Sequence, residues 1–403
     1  MSWDMVRLGD ACDVNPSTKG KTTSLASDIL VSFLPMEAME AGTGKMNPID
    51  KKLEAVKKGY TYFENGDVLF AKITPCMQNG KHAIARNLTN GIGFGSTEFH
   101  VLRPKQNVIA EWIYNFINQK GLLLAAENYF QGAVGQQRLP DDYLREVEIP
   151  LPPLDEQRRI AAEVEHQLAV VEKAKKLTEE QLELVLSAKS KSVETIFLSE
   201  FFANCEWIPI KDCSLKVGSG ATPRGGQSAY HASGIPLIRS QNVHFNTFIV
   251  DGLAYINDKQ NNELRNTVVM NGDVLLNITG ASIGRVCVAP NEYCPANVNQ
   301  HVCIIRLDKR FMPEFVSHYM ATKEFQSNIM ALQAGATRQA LTKEQVQDFK
   351  MPMISKSQQE LILAEIQDKG TTFNRLYEIL CNQRDTINAM PAAILRHAFS
   401  GQM

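Results

Sequence analysis

Asn65-Gly66-Asp67-Val68-Leu69 recurs 206 positions later as Asn271-Gly272-Asp273-Val274-Leu275. Around this pentapeptide the echo extends in both directions at nearly the same offset. Trp3 with Val6-Arg7 answers to Trp207 with Ile210-Lys211, and Phe99-His100-Val101-Leu102-Arg103 to Val302-Cys303-Ile304-Ile305-Arg306. Ile149-Pro150-Leu151 matches Met351-Pro352-Met353, followed in each copy by a glutamine, Gln157 and Gln359, and Phe197 pairs with Phe399. A preserved order with small drifts is the mark of a tandem duplication, which must be recognised before individual elements are assigned.

Each copy has two parts. Short β-type runs (Asp67 to Ile73, Glu98 to Leu102, Asp273 to Ile278, His301 to Leu307) alternate with Asn-Gly and Gly-x-Gly turn signals, the texture of an α/β domain of mixed α+β type. A long helix follows. Asp155 to Glu200 holds 46 residues without proline or glycine, with Ile160, Val164, Leu168, Val171, Ala174, Leu182, Val185, Val193 and Ile196 mostly three or four apart. Such a helix extends about 69 Å. Pro152-Pro153 sets an extended entry, and Asp155 is placed to cap the first turn. From Ser357 the second copy repeats the stripe at Ile362, Ile366, Phe373, Leu376, Leu380, Ile387, Met390 and Ile394, with Gly370 and Pro391 as weak points. One apolar face needs a partner, so the two helices are expected to pack as an antiparallel coiled-coil spacer. The expected division is a first mixed α/β domain over 1–152, a central helix over 153–203, a second domain over 204–354 and a C-terminal helix over 355–403.

Composition bounds the function. The 403 residues are 44% hydrophobic and 21% charged, an ordinary globular balance. The longest apolar runs, such as Leu122 to Ala126, fall far short of the ~20 residues that span a bilayer. Asp4 and Arg7 interrupt any signal-type apolar stretch at the start, so the expected compartment is the cytoplasm. Eight cysteines form no C-x-x-C pair and are read as reduced. Cys294, His301 and Cys303 are the nearest approach to a metal cluster, but they lack standard ligand spacing and read as packing residues. The net charge of −2 divides into −1, −3, +2 and 0 over the four segments, so any polyanion surface is a local patch.

Catalytic motifs are missing. An amino-methyltransferase needs a Gly-rich cofactor loop and an Asn/Asp-Pro-Pro-aromatic grip, whereas Asn15-Pro16 and Asn47-Pro48 have no second proline. Gly44-Lys45 is followed by Met46 and does not complete a phosphate loop. Pro140-Asp141 is not followed by a nuclease-type [DE]-x-K, and no nucleophile elbow occurs. The chain reads as a binding and assembly protein.

Against this background the chain closely resembles the specificity subunit of Type I restriction-modification enzymes. The resemblance is carried by Ala71 to Lys81 and Gly95 to Pro104 in the first half. In the second it is carried by Gly220-Ala221-Thr222-Pro223, Gly234 to Arg239, Gly280 to Arg285 and Asn299-Gln300. The junctions agree too, in Pro150 to Leu154 with Glu156 to Ile160, and in Ala398-Phe399-Ser400-Gly401. His301 replaces a commoner small residue, and Ser357-Gln358-Gln359 is a looser helix start than Asp155-Glu156-Gln157.

The resemblance implies two tandem target recognition domains, each reading half of an asymmetric bipartite site in double-stranded DNA. It implies helices that set the spacing and dock two methyltransferase (modification) subunits, with motor-nuclease (restriction) subunits joining for cleavage. S-adenosylmethionine, ATP and magnesium would belong to those partners, with no cofactor, metal or catalytic residue in this chain and no membrane association. Donors and long polar side chains in the turn-rich stretches are the candidate DNA contacts, since Arg suits guanine and Asn or Gln suits adenine. In the first domain these are Lys72, Thr74, Gln78, Asn79, Lys81, Gln136, Gln137 and Arg138. In the second they are Thr222, Arg224, Arg239, Gln241, Asn242, Asn277, Thr279, Arg285, Arg338 and Gln339. Lys51, Lys52, Lys57 and Lys58 read as a solvated or phosphate-facing edge. A self-sufficient DNA-modifying enzyme and a pure protein scaffold are the competing readings.

Overall fold

The repeated pentapeptide builds the same corner twice. In the computed structural model, which describes residues 3–133, 136–198, 202, 204–223, 225–333 and 340–403, Gly66 (φ 91°) and Gly272 (φ 81°) take the left-handed conformation that each turn requires. The next residue turns inward: Asp67 and Asp273 are each 1% exposed. Their carboxylates accept the Glu64 and Met270 backbone N–H groups at 2.7 and 2.8 Å. Each also takes a two-pronged guanidinium bond, from Arg103 at 2.8 and 2.7 Å and from Arg306 at 2.8 and 2.8 Å. Losing one partner of such a buried pair costs ~3–5 kcal/mol, which explains why the motif and its distant arginine occur in both copies.

From this corner the strands Val68–Ala71 and Val274–Asn277 run into four-stranded antiparallel sheets. In the first copy the order is Cys12–Val14, Phe99–Pro104, Val68–Ala71, His82–Ile84; in the second it is Ser214–Ser219, Val302–Leu307, Val274–Asn277, Val286–Val288. A second four-stranded sheet accompanies each. Its order is Ile49–Lys52, Leu30–Leu34, Ile92–Gly95, Thr61–Glu64 in one copy and Ala254–Ile256, Ile235–Ile238, Ala296–Val298, Val268–Val269 in the other, the middle pair parallel both times. Identical strand order in both copies is the duplication expressed as fold. Each copy closes with a two-stranded ribbon, Met5–Arg7 against Glu148–Pro150 and Glu206–Pro209 against Lys350–Met353.

The ribbons lead into helices Leu154–Phe197 and Lys356–Phe399. The chain divides into two units, Met1–Glu180 with Cys381–Met403, and Gln181–Leu380. In the first, Ile160 and Val164 near the start of one helix share a core with Leu395 and Ala398 near the end of the other, and Arg159 Nη2 donates to the Met403 carbonyl at 2.8 Å. In the second, Ile196 shares a core with Ile362 and Ile366, and Lys189 Nζ reaches Asn374 Oδ1 at 2.7 Å. Within each unit the helices therefore run antiparallel.

Details of the helices depart from the sequence reading. Asp155 lies inside the first turn, paired with Arg158 at 3.0 Å, and does not cap it. Gly370 and Pro391 do not interrupt the second helix, because proline removes a single ladder bond while Ile387 and Leu395 on either side are buried. Leu376 and Met390 are each 42% exposed; spacings of three and four fit two adjacent helix faces equally well, and packing selects one. No helix among the described residues is long and apolar enough to cross a membrane.

The glutamines that open the two helices explain their recurrence. Gln157 and Gln359 are fully buried. Gln157 Oε1 accepts the Ile109 N–H at 3.1 Å, and its Nε2 donates to the Asn107 and Pro152 carbonyls at 3.0 and 2.8 Å. Gln359 repeats this with the Met312 N–H at 2.8 Å and the Arg310 and Ile354 carbonyls at 2.9 and 3.0 Å. One amide thus ties helix start to domain in each copy.

Candidate nucleic-acid interface

Beyond the end of strand Val68–Ala71 three segments meet. Lys72 N–H donates to the Glu98 carbonyl at 2.9 Å, Leu139 N–H to the Lys72 carbonyl at 2.9 Å, and Thr74 N–H to the Gln137 carbonyl at 2.9 Å. Gln137 N–H returns a bond to Thr74 Oγ1 at 3.2 Å. Beneath them His100 is buried between Asn15 Nδ2 at 3.0 Å and the Leu139 carbonyl at 2.8 Å. Burial holds this imidazole below its ordinary pKa. On top, Arg138 Nε and Nη2 clasp both oxygens of Glu98 at 2.8 Å, and Nη1 donates to the Gln136 carbonyl at 3.1 Å. These bonds keep the Glu98 carboxyl below the usual carboxylate range. Lys72, Thr74, Gln136, Gln137 and Arg138 are therefore gathered on one polar strand-end edge.

The second copy has the same edge with different chemistry. Ile278 N–H donates to the His301 carbonyl at 3.0 Å and Leu341 N–H to the Ile278 carbonyl at 2.8 Å, while Thr279 bridges Ala340 as Ile73 bridges Arg138. Here Thr279 Oγ1 meets His301 Nδ1 at 2.6 Å, His301 Nε2 lies 3.1 Å from Gln300 Nε2, and Thr222 donates to Gln300 Oε1. Thr222 and Thr279 are thus joined through two residues, Gln300 and His301, that were not among the expected contacts. Glu98 was likewise absent from them. Their common signal is position: each lies just before the strand that carries the repeated arginine.

Other candidates fall elsewhere. Arg239 Nη2 and Gln241 Nε2 converge on the Gly252 carbonyl, with Arg239 over the Tyr230 ring at 5.3 Å. Arg285 lies against His244 Nε2 at 3.4 Å. Gln78 is bound to Glu127 at 2.9 Å and Lys81 to the Met36 carbonyl at 2.9 Å, while Asn79 is exposed. Two expectations are corrected. Asn242 and Asn277 are fully buried. Asn242 serves the Arg239 N–H and the Ile249 carbonyl, and Asn277 the Ser240 carbonyl at 2.9 Å. Asn277 Oδ1 has no partner among the described residues, but both amides are buried away from the surface that a base could reach. Arg224, Arg338 and Gln339 lie outside the described residues.

Lys51 is engaged over the Phe33 ring at 3.9 Å. The register pairs Ile49 with Phe33 and Lys52 with Leu30, so Lys52 sits at the strand end away from Met36 and the edge described above. Among the described residues no group of histidine, cysteine and carboxylate side chains is placed to hold a metal. Cys303 is buried in its sheet, and burial pushes its thiol up to about 12.

Two copies of one mixed α/β fold, each bearing a polar edge and joined to paired helix ends, define an internally duplicated protein. The family described as Type I restriction modification DNA specificity domain matches residues 1–184 and 210–378. The chain belongs to this family. It is 36% identical over 197 residues to the Type I restriction enzyme EcoAI specificity subunit of Escherichia coli, a match covering 48% of this chain and 32% of that one. With the EcoEI specificity subunit, also of E. coli, it shares 37% identity over 160 residues, covering 39% and 26%. The matched stretches thus span about a third or less of these relatives. The fold is like that of the HsdS subunit from Thermoanaerobacter tengcongensis, with TM-score 0.69, 19% identity and coverage of 100% and 97%.

Proposed function

We propose that the two domains each read one half of an asymmetric bipartite site in double-stranded DNA. The helices set the distance between half-sites and dock two methyltransferase subunits, with ATP-driven motor-nuclease subunits joining for restriction. S-adenosylmethionine, ATP and magnesium act in those partners, and the chain itself supplies recognition in the cytoplasm without chemistry. The observation that supports this most directly is the contrast between the edges. Strand order and backbone bonds coincide, while the side chains are Arg138 and Glu98 in one copy and Thr222, Thr279, Gln300 and His301 in the other. Equal frames with unequal donors suit two different half-sites, because base contacts specify sequence and phosphate contacts only position.

The test is a map of modified adenines made by the chain with its methyltransferase partners, followed by replacement of residues 1–152 with the first domain of a relative. The expected result is a change in one half-site only. A site altered in both halves, or no sequence-selective modification at all, overturns the proposal. Binding of S-adenosylmethionine by the chain alone would favour a self-sufficient enzyme instead.

A further inference from the structure

The duplication supplies an internal control for the strand-end edge. A polar contact that serves the fold is expected in both copies, as with Asp67–Arg103 and Asp273–Arg306, or Gln157 and Gln359. Among the described residues the Arg138–Glu98 clasp occurs once: its positions in the second copy, fixed by the matching backbone bonds, hold Ala340 and His301. The frame stands without it.

The clasp is also unusually well held. Arg138 backbone exchanges bonds with Gln131 at 2.8 and 2.9 Å while bridging Ile73 on its other side. Glu98 is anchored through its carbonyl to Lys72 and through its N–H to Ser96 Oγ at 3.2 Å. The arginine side chain is 45% exposed and its glutamate partner 23%, so the cation lies outermost. Glu98 occupies the Nε–Nη2 side of the guanidinium. The Gln136 carbonyl takes one Nη1 N–H at 3.1 Å, which leaves one N–H on each of Nη1 and Nη2, a pair of donors to match the O6 and N7 acceptors of guanine.

Resting on the proposed DNA reading, we infer that Arg138 reads a guanine in the first half-site through its Nη1–Nη2 edge and that Glu98 is the positioning residue that aims it. A fixed plane would also suit a bidentate phosphate contact, and salt and sequence dependence separate the two. An arginine that reads a base needs its fork pre-set, since ordering a long side chain at the moment of binding costs affinity.

The assembled complex with its methyltransferase subunits is tested on duplexes carrying the mapped site, with each base pair of both half-sites varied in turn. Arg138→Ala is expected to lower the preference for G·C at one base pair of the first half-site by about 10- to 100-fold, with preference at the other base pairs of that half-site unchanged as proof that the first domain is folded. Glu98→Ala should weaken preference at that same base pair, Glu98→Gln should recover part of it, and the double variant should be no worse than Arg138→Ala. An even loss across all sequences with the salt slope reduced by about one would place Arg138 on phosphate and overturn the inference. So would unaltered preference in Arg138→Ala, or effects of Glu98→Ala at a different base pair. A wild-type complex without selective modification would instead remove the parent reading, and this one with it.

Discussion

Gln157 shows how much one side chain can settle. Its amide satisfies one N–H and two carbonyls that would otherwise be buried without partners, and each such orphan costs roughly 1–3 kcal/mol. Gln157→Leu is expected to lower stability by about 3 kcal/mol in denaturant unfolding; a loss below about 1 kcal/mol would mean that the helix start is held by other contacts. His82 sets a pH dependence. It is fully buried and stacked on Phe70 at 4.2 Å, and burial pushes its imidazole down to about 3. With a folded pKa below the unfolded value near 6.5, its stabilising share is complete above that pH and is lost as pH falls toward 3. Between pH 7 and 5 that loss is about 2 kcal/mol, so His82→Phe should flatten the acid limb of stability by that amount relative to wild type. Equal pH slopes for the two proteins would refute the assignment. Asn242 and Asn277 were misread at this scale because asparagine also serves buried backbone, in its own turn for Asn242 and at Ser240, 37 residues away, for Asn277, and nothing in local sequence separates that use from base reading.

At the scale of elements, the helices were the most legible feature, since a period near 3.6 needs only local spacing to be seen. The face was less so: Leu376 and Met390 fit the spacing and lie exposed, while Thr178, a polar residue, is 2% exposed and bonded to the Ala174 carbonyl at 2.9 Å. A ruler role for these helices can be measured. Adding three heptads to each helix within the apolar seam lengthens them by ~32 Å, close to the ~34–36 Å of one DNA turn, and so keeps both domains on one face of the duplex. The modified site should then show unchanged half-sites with a spacer about nine or ten base pairs longer. Activity at the original spacing would sink the ruler.

For the whole molecule, the net charge of −2 limits what the chain can do with DNA alone. Phosphate contacts dominate affinity and each contributes about −0.9 to the slope of log affinity against log salt. The free chain is therefore expected to bind weakly with a shallow slope, and the complex with methyltransferase subunits tightly with a distinctly steeper one. Titration of both on the mapped duplex decides it, and matching slopes and affinities would refute the division of labour. What the sequence determined by itself was the two-copy plan, the strand-rich domains and the paired helices, because repeats and periodicities are properties of neighbouring residues. Only tertiary structure decided which polar side chains share an edge. Lys72, Glu98 and Arg138 are far apart in the chain, and it is antiparallel registry, with a strand end on one side and a returning loop on the other, that brings them within hydrogen-bonding distance. Long-range registry is set by the burial of whole sheets, a cooperative quantity that no single stretch of sequence carries.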